Sequence, residues 1–218
     1  MHIAEGILTI PVLASGYVVA IAGLTFSLKK LPEEQIPQVA LLSAVFFIAS
    51  LIHIPLGATQ IHLVLHGLIG LLLGWAAFPA LFIALLLQAV LFGFGGISTL
   101  GINTVNLALP ALLAFYAGRG LMTVTQRGFL IGLGSATLAM LGSLLLIGGS
   151  LRMGGQEFWP LIQLMMVIHV PLLVIEGLIT GLIVAFLQKV APEILQPITQ
   201  IPVSTQTTLN SVKSSTCS

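Results

Sequence analysis

The chain has 218 residues, of which 57% are hydrophobic and 6% charged, with a formal net charge of +1. A soluble domain carries about 25% charged residues, so thirteen formal charges, seven basic and six acidic, cannot coat a soluble globule of this size. The composition excludes a soluble domain, the charge gives no reason to expect a nucleic-acid partner, and Cys217, the single cysteine, allows no internal disulfide.

The predicted class is an all-α polytopic membrane protein of about seven transmembrane helices. A helix needs about 20 apolar residues to cross a bilayer. In chain order the apolar segments are Ile7–Leu28, Gln38–Ile54, His62–Phe78, Pro79–Phe92, Thr104–Ala117, Gly128–Ile147 and Phe158–Gln188. The third to fifth are short, so they tilt little or share the membrane with loops buried in protein. The first run follows no Lys or Arg, unlike a cleaved signal, and its positive charges, Lys29 and Lys30, come after it.

Seven crossings with the N-terminus outside put Lys29, Lys30, Arg119, Arg127, Lys189 and Lys213 on the cytoplasmic side and only Arg152 outside. That is a strong positive-inside bias. It predicts a cell (inner) membrane location with a cytoplasmic C-terminus. Residues 1–193 form the membrane domain, and the polar stretch 194–218 is a disordered cytoplasmic tail.

Ionisable residues in a membrane are costly, and they are functional candidates. His2, His53, His62 and His66 fall near the outer ends of their segments, where they could converge, while His169 and Glu176 share one face of the last segment. Pro55 and Gly57 break the second helix, and Thr59 and Gln60 form a polar turn before the third. His62 and His66, four apart, are expected on one helical face, as two metal ligands or as two interfacial histidines. The glycine-rich stretch Gly93–Asn106 reads as a folded outer loop. It leads to Asn103 and Asn106, which point inward together at a helix start.

Met1-His2 is a chelator in itself. The terminal amine and the His2 amide nitrogen close a five-membered ring on a metal, and that amide and the imidazole Nδ1 close a six-membered ring. Three nitrogens then lie near one plane once the amide proton is lost. Ni(II), Cu(II) and low-spin Co(II) drive that loss, and planar nitrogen sites belong to Cu(II) or Ni(II). The amine pKa of about 8 lets a metal displace its proton near neutral pH. His62 or His66 is on the correct side to supply a fourth nitrogen.

Four blocks carry a family resemblance: Met1-His2-Ile3-Ala4-Glu5-Gly6, Gly57-Ala58-Thr59-Gln60-Ile61-His62-Leu63, Phe92 to Asn103, and His169-Val170-Pro171-Leu172-Leu173-Val174-Ile175-Glu176-Gly177. The sequence resembles the CbiM/NikM family, the cobalt/nickel substrate-binding components of energy-coupling factor transporters. Phe94 departs from the aspartate many members carry there, which removes a carboxylate from that loop.

The resemblance implies a metal site of Met1, His2 and His62. His66 is an alternative ligand or an outer neighbour, and Glu5, Thr59, Ser98, Asn103 and His169 are candidates to orient the ligands. It also implies that Co2+ or Ni2+ is a transported substrate, cobalt being supplied for cobalamin synthesis, with no prosthetic group. The expected partners are a membrane coupling protein, a pair of cytoplasmic ATP-binding subunits and in some members a small accessory membrane subunit. The chain has no G-x-x-x-x-G-K-[ST] loop, so ATP hydrolysis falls to those subunits. Ala40-x-x-x-Ala44 is a candidate stripe for the coupling protein. The alternatives are a self-sufficient metal channel or secondary transporter, or a zinc hydrolase built on His62 and His66.

Overall fold

The structure is a computed structural model that describes residues 2–51, 53–56 and 59–195, with the backbone alone over the short hairpin. Met1 and the polar tail from residue 196 lie outside the described residues. The elements in order are α1 (Ile10–Lys30), α2 (Ile36–Leu51), β1 (His53–Leu56), β2 (Thr59–His62), α3 (His66–Leu73), α4 (Ala77–Phe92), α5 (Leu100–Val124), α6 (Gly128–Gly154) and α7 (Trp159–Val190).

Local chemistry sets several of these ends. Prolines stand in the first turns of α1 and α7, where the missing N–H has no intrahelical acceptor to lose. Lys29, Lys30, Arg152 and Lys189 occupy last turns, where positive charge complements the helix dipole. Large apolar side chains such as Val18, Leu41, Ile48, Leu145 and Val170 are exposed. In water such a surface would aggregate; in a bilayer it is the lipid face. The core of Phe46, Phe78, Leu81, Leu107, Met140 and Ile147 is fully buried.

Among the described residues six stretches are long and apolar enough to cross a membrane, and one of them, His66–Phe92, contains both α3 and α4. Its neighbours show that it reverses. Gly67 lies on Ala136 of α6, and Gly70 on Ala111 and Gly74 on Phe115 of α5, so α3 runs alongside both α5 and α6. Ser27 then donates to the Trp75 carbonyl at 2.8 Å, Ser43 to that of Ala80 at 2.8 Å, and Gln88 to Ser50 at 2.6 Å, so α4 returns alongside α2. Gly74 makes the reversal with φ +55°, a conformation that glycine adopts without a Cβ penalty.

The third of the about seven expected helices is indeed short and shares its pass with non-helical chain. With eight residues, α3 spans about 12 Å, less than half of a hydrocarbon core of about 30 Å. The third pass is completed by the hairpin and residues 63–65. An odd number of passes survives. Lys29, Lys30, Arg127 and Lys189 lie at one end of the bundle, and the N-terminal segment lies at the other with Arg152.

The polar turn expected at Thr59-Gln60 is corrected. These residues stand in an antiparallel ladder that pairs Leu56 with Thr59 and His53 with His62. Ile54, Thr59 and Ile61 are β-branched and suit a strand. His62 and His66 thus do not share a helix: His62 ends β2, Leu65 takes φ +53°, and His66 opens α3.

A methyl group on Gly70 would collide with the Ala111 carbonyl, whereas one on Gly149 would meet nothing within 4 Å. Backbone cannot retreat as a side-chain tip can. Gly70→Ala is expected to cost about 1–3 kcal/mol and to lower the melting temperature in detergent, with Gly149→Ala as the unchanged control. Equal melting of both variants would mean that α3 does not lie on α5.

Candidate metal centre

The segment before α1 is not a free tail. His2 and Ile3 are buried. The Asn103 side chain binds the Ile3 backbone from both sides: Oδ1 accepts the Ile3 N–H at 2.9 Å and Nδ2 donates to the Ile3 carbonyl at 3.1 Å. The amide thus pairs with a peptide as a neighbouring strand would, in a place where no strand exists. Thr99 Oγ1 accepts a second Asn103 Nδ2 bond at 3.2 Å and keeps the amide in register. Asn103 sits on the first turn of α5, so a rigid helix sets the height of His2 in the bundle.

A second clamp lies one turn of chain further on. The Glu5 carboxylate accepts the Ser98 N–H at 3.0 Å. Any side chain on Gly96 (φ +128°) would collide with Glu5, so glycine permits this approach. Tyr17 of α1 donates its hydroxyl to the Ile97 carbonyl, which fastens the same loop to the first helix. Phe94 stacks on Phe92 with ring centroids 5.6 Å apart, and its N–H bonds the Gln88 carbonyl at 3.2 Å. The loop is therefore closed by packing at the position where the family pattern has a carboxylate.

His2 sits beside Gly95, with Ile147 and Leu151 of α6 and Leu161 and Met165 of α7 around the same small cavity. Burial, with the charge of the adjacent terminal amine adding to it, holds its imidazole pKa well below the usual histidine value. A neutral imidazole keeps a lone pair for a metal. The Gln88 side chain lies close to His2 and is itself oriented by Ser50, to which it donates.

Sequence reasoning missed Gln88. A fully buried amide in so apolar a helix as α4 was the available signal, because a buried polar group needs a partner.

His66 is fully buried, with Nε2 at 2.8 Å from Ser143 Oγ on α6. His169 is also fully buried and binds the Met165 carbonyl of its own helix at 2.7 Å. Asn106 points inward as expected and accepts from Ser150 at 3.4 Å. Glu176 reaches across from α7 to the residues before α3. Its carboxylate accepts the Val64 N–H and, at 3.3 Å, the Leu65 N–H. Among the described residues no three of His, Cys, Asp and Glu come together as a metal cage. The side chains of Thr59 and His62 are outside the described residues, as is Met1.

Residues 2–194 match the family described as CbiM, "Cobalt uptake substrate-specific transmembrane region". The chain belongs to the CbiM family. A Haemophilus influenzae protein named for metal transport is 39% identical to this CbiM-family chain, across 89% of this chain and 97% of its own length. A fused nickel transport protein NikMN of Rhodobacter capsulatus is 30% identical across 90% of this chain and 64% of its own. A crystal structure titled as that of a transition metal transporter superposes with a TM-score of 0.71 at 28% identity, covering 87% of this chain and 93% of that one. The CbiM-family chain is thus a multi-pass membrane protein with a fold seen in metal transport.

In Asn103→Leu the Ile3 N–H and carbonyl lose their buried partners, at a cost of about 1–3 kcal/mol for each. Residues 2–9 are expected to exchange amide hydrogens faster while α3 and α6 keep their protection, as read by hydrogen-exchange mass spectrometry. Unchanged exchange in residues 2–9 would show that Asn103 does not hold the segment.

Proposed function

We propose that this chain is the metal-capturing membrane component of an energy-coupling factor importer for Ni2+ or Co2+. The metal is held by the Met1 amine, the His2 backbone nitrogen, the His2 imidazole Nδ1 and the His62 imidazole. The observation that carries this reading is the Asn103–Ile3 clamp. It fixes the backbone one residue from the proposed chelate, so the donors are organised before metal arrives. That reduces the ordering cost of binding.

The burial of His2 beside that clamp supports the same reading. Glu5, Ser98 and the loop around them cover the site, and Thr59 of β2 remains a candidate to orient a ligand. His66, tied to Ser143, serves behind the site and not as a fourth ligand. His169 packs below it.

Four near-planar nitrogens favour nickel over cobalt by intrinsic affinity, since Co2+ binds more weakly than Ni2+ in such sites. The family description names cobalt and the Rhodobacter capsulatus relative is named for nickel, so availability in the cell selects the cargo. The metal is substrate and not a resident cofactor.

ATP hydrolysis belongs to separate cytoplasmic subunits, because this sequence lacks a phosphate-binding loop. A relative fused to an N component supports a small membrane partner. Ala40 and Ala44 stand exposed on α2, with Leu41 and Ile48 beside them, and this face suits the coupling protein. The membrane domain reaches past residue 193, since Pro192–Leu195 forms a helical turn and Leu195 packs on the bundle; the polar stretch that follows is assigned to the cytoplasmic side.

The test is calorimetric titration of Ni2+ and Co2+ into purified protein with a free N-terminus, and into protein with three Ser added before Met1. The added residues move the amine out of the first chelate ring and keep His2 from standing third, where it would close a chelate of its own. They are expected to weaken binding roughly a hundredfold, since the amine donor and its proton release are lost. His62→Ala is expected to weaken binding less, because three donors remain. Equal binding by the native and extended proteins would overturn the chelate.

A further inference from the structure

We propose that Glu176 is a positioning residue for metal capture. From α7 it fixes the backbone at Val64 and Leu65, and so sets where the end of β2 presents His62. This rests on His62 being the fourth ligand, as proposed above.

The first N–H groups of a helix have no partner within it, and in a membrane water cannot supply one. By helical rise Glu176 lies about 20 Å from the cytoplasmic end of α7, so the chain entering α3 meets this problem near mid-membrane. Leu65, the residue before α3, has no side chain able to cap and lies in a left-handed turn. The cap arrives from another helix. Glu176 is 1% exposed and gives its Oε1 to both Val64 and Leu65.

This contact does more than hold α3 in place. His66 is tied to Ser143, and Gly70 is seated on Ala111, so α3 has its own anchors on α6 and α5. Glu176 adds an anchor on the stretch between β2 and α3, at Val64 and Leu65. Two extended residues reach at most about 7 Å, so holding the Val64 N–H confines His62, two positions earlier, to a small volume. A shift of α7 would carry this anchor with it. Groups that orient a ligand from outside typically change metal affinity by about 10–100-fold.

The experiment is a double-mutant cycle with Ni2+, using the full chain with a free N-terminus. Calorimetric Kd and the visible absorption of bound Ni(II) are measured for the parent, Glu176→Leu, His62→Ala and the double variant. The expected result is a loss of about tenfold or more in Glu176→Leu, with its Ni(II) band shifted toward that of His62→Ala. The double variant should bind no more weakly than His62→Ala alone, as expected for residues acting through one contact. Glu176→Gln, which keeps an acceptor, should bind close to the parent.

A helix brace with no role in positioning would lower thermal stability and leave the band in place. Parent-like affinity and band in Glu176→Leu, or losses that simply multiply in the double variant, overturn the proposal. If Glu176→Leu does not fold, Glu176→Asp, shorter by one methylene, is read in the same cycle against the same outcomes. Parent-like binding by His62→Ala while the Ser-extended protein fails to bind would remove His62 from the ligands, and this proposal with it, but leave the N-terminal chelate standing.

Discussion

Backbone in hydrocarbon has to find its hydrogen bonds inside the protein. Regular helices meet that demand without help, and α1, α5, α6 and α7 are long regular helices. Residues 2 and 3 at the outer end and 64–65 before α3 are not helical and yet are buried. Each pair is satisfied by a side chain from a long helix. Asn103 of α5 supplies both a donor and an acceptor to Ile3, and Glu176 of α7 supplies an acceptor to two successive N–H groups. The choice of residue follows the need. A peptide unit presenting both groups is matched by an amide, while a pair of donors at a helix start is matched by a carboxylate. Irregular backbone is thereby kept where a metal site would use it.

Close helix contact makes these reaches possible. A Cβ on Gly16 would lie 2.7 Å from the Ile102 Cα, and one on Gly101 would lie 2.7 Å from the Tyr17 Cα, so α1 and α5 meet backbone to backbone next to the clamp. At that crossing Tyr17 reaches Ile97, and Asn103, two residues along α5, reaches Ile3. Small residues allow such approach between membrane helices, where no hydrophobic force drives association. The same interface therefore fastens the outer loop and the N-terminal segment. Hydrogen bonds hold the site, and van der Waals packing sets the distances that the bonds require.

Much of this was legible in the sequence. Thirteen charges in 218 residues demanded a membrane. Asn103 and Asn106, three apart after a glycine-rich run, were correctly read as inward-facing, because helical spacing is local information. The family blocks were ordered along the chain, and residues 2–194 match the CbiM family. The relation of His62 to His66 was misread for a physical reason. Periodicity cannot separate a short apolar strand from a helix, and the residue that decides between them, Leu65 at φ +53°, carries no sequence signal for a left-handed turn. Its conformation is held by Glu176 from more than a hundred residues away. Gln88 was overlooked because a lone amide in an apolar run lacks a spacing pattern, and its meaning depends on Ser50 and His2 arriving from other elements.

The proposed donor set explains why clustering of side chains is a poor guide to this site. Among the described residues no three metal-binding side chains meet. The chelate as proposed takes two of its four nitrogens from the main chain, the terminal amine and the first amide, and needs only two imidazoles. Its selectivity then comes from what it demands of the metal: an ion able to displace an amide proton, which Ni(II) and low-spin Co(II) can do and Mg(II) and Zn(II) generally cannot. A side-chain cage would select largely by ligand type and geometry. A main-chain chelate selects by Lewis acidity and planarity as well, and it depends on a backbone held still. The polar investment in this apolar chain fits that requirement: Asn103, Thr99 and Glu5 bind backbone or loop around the N-terminus.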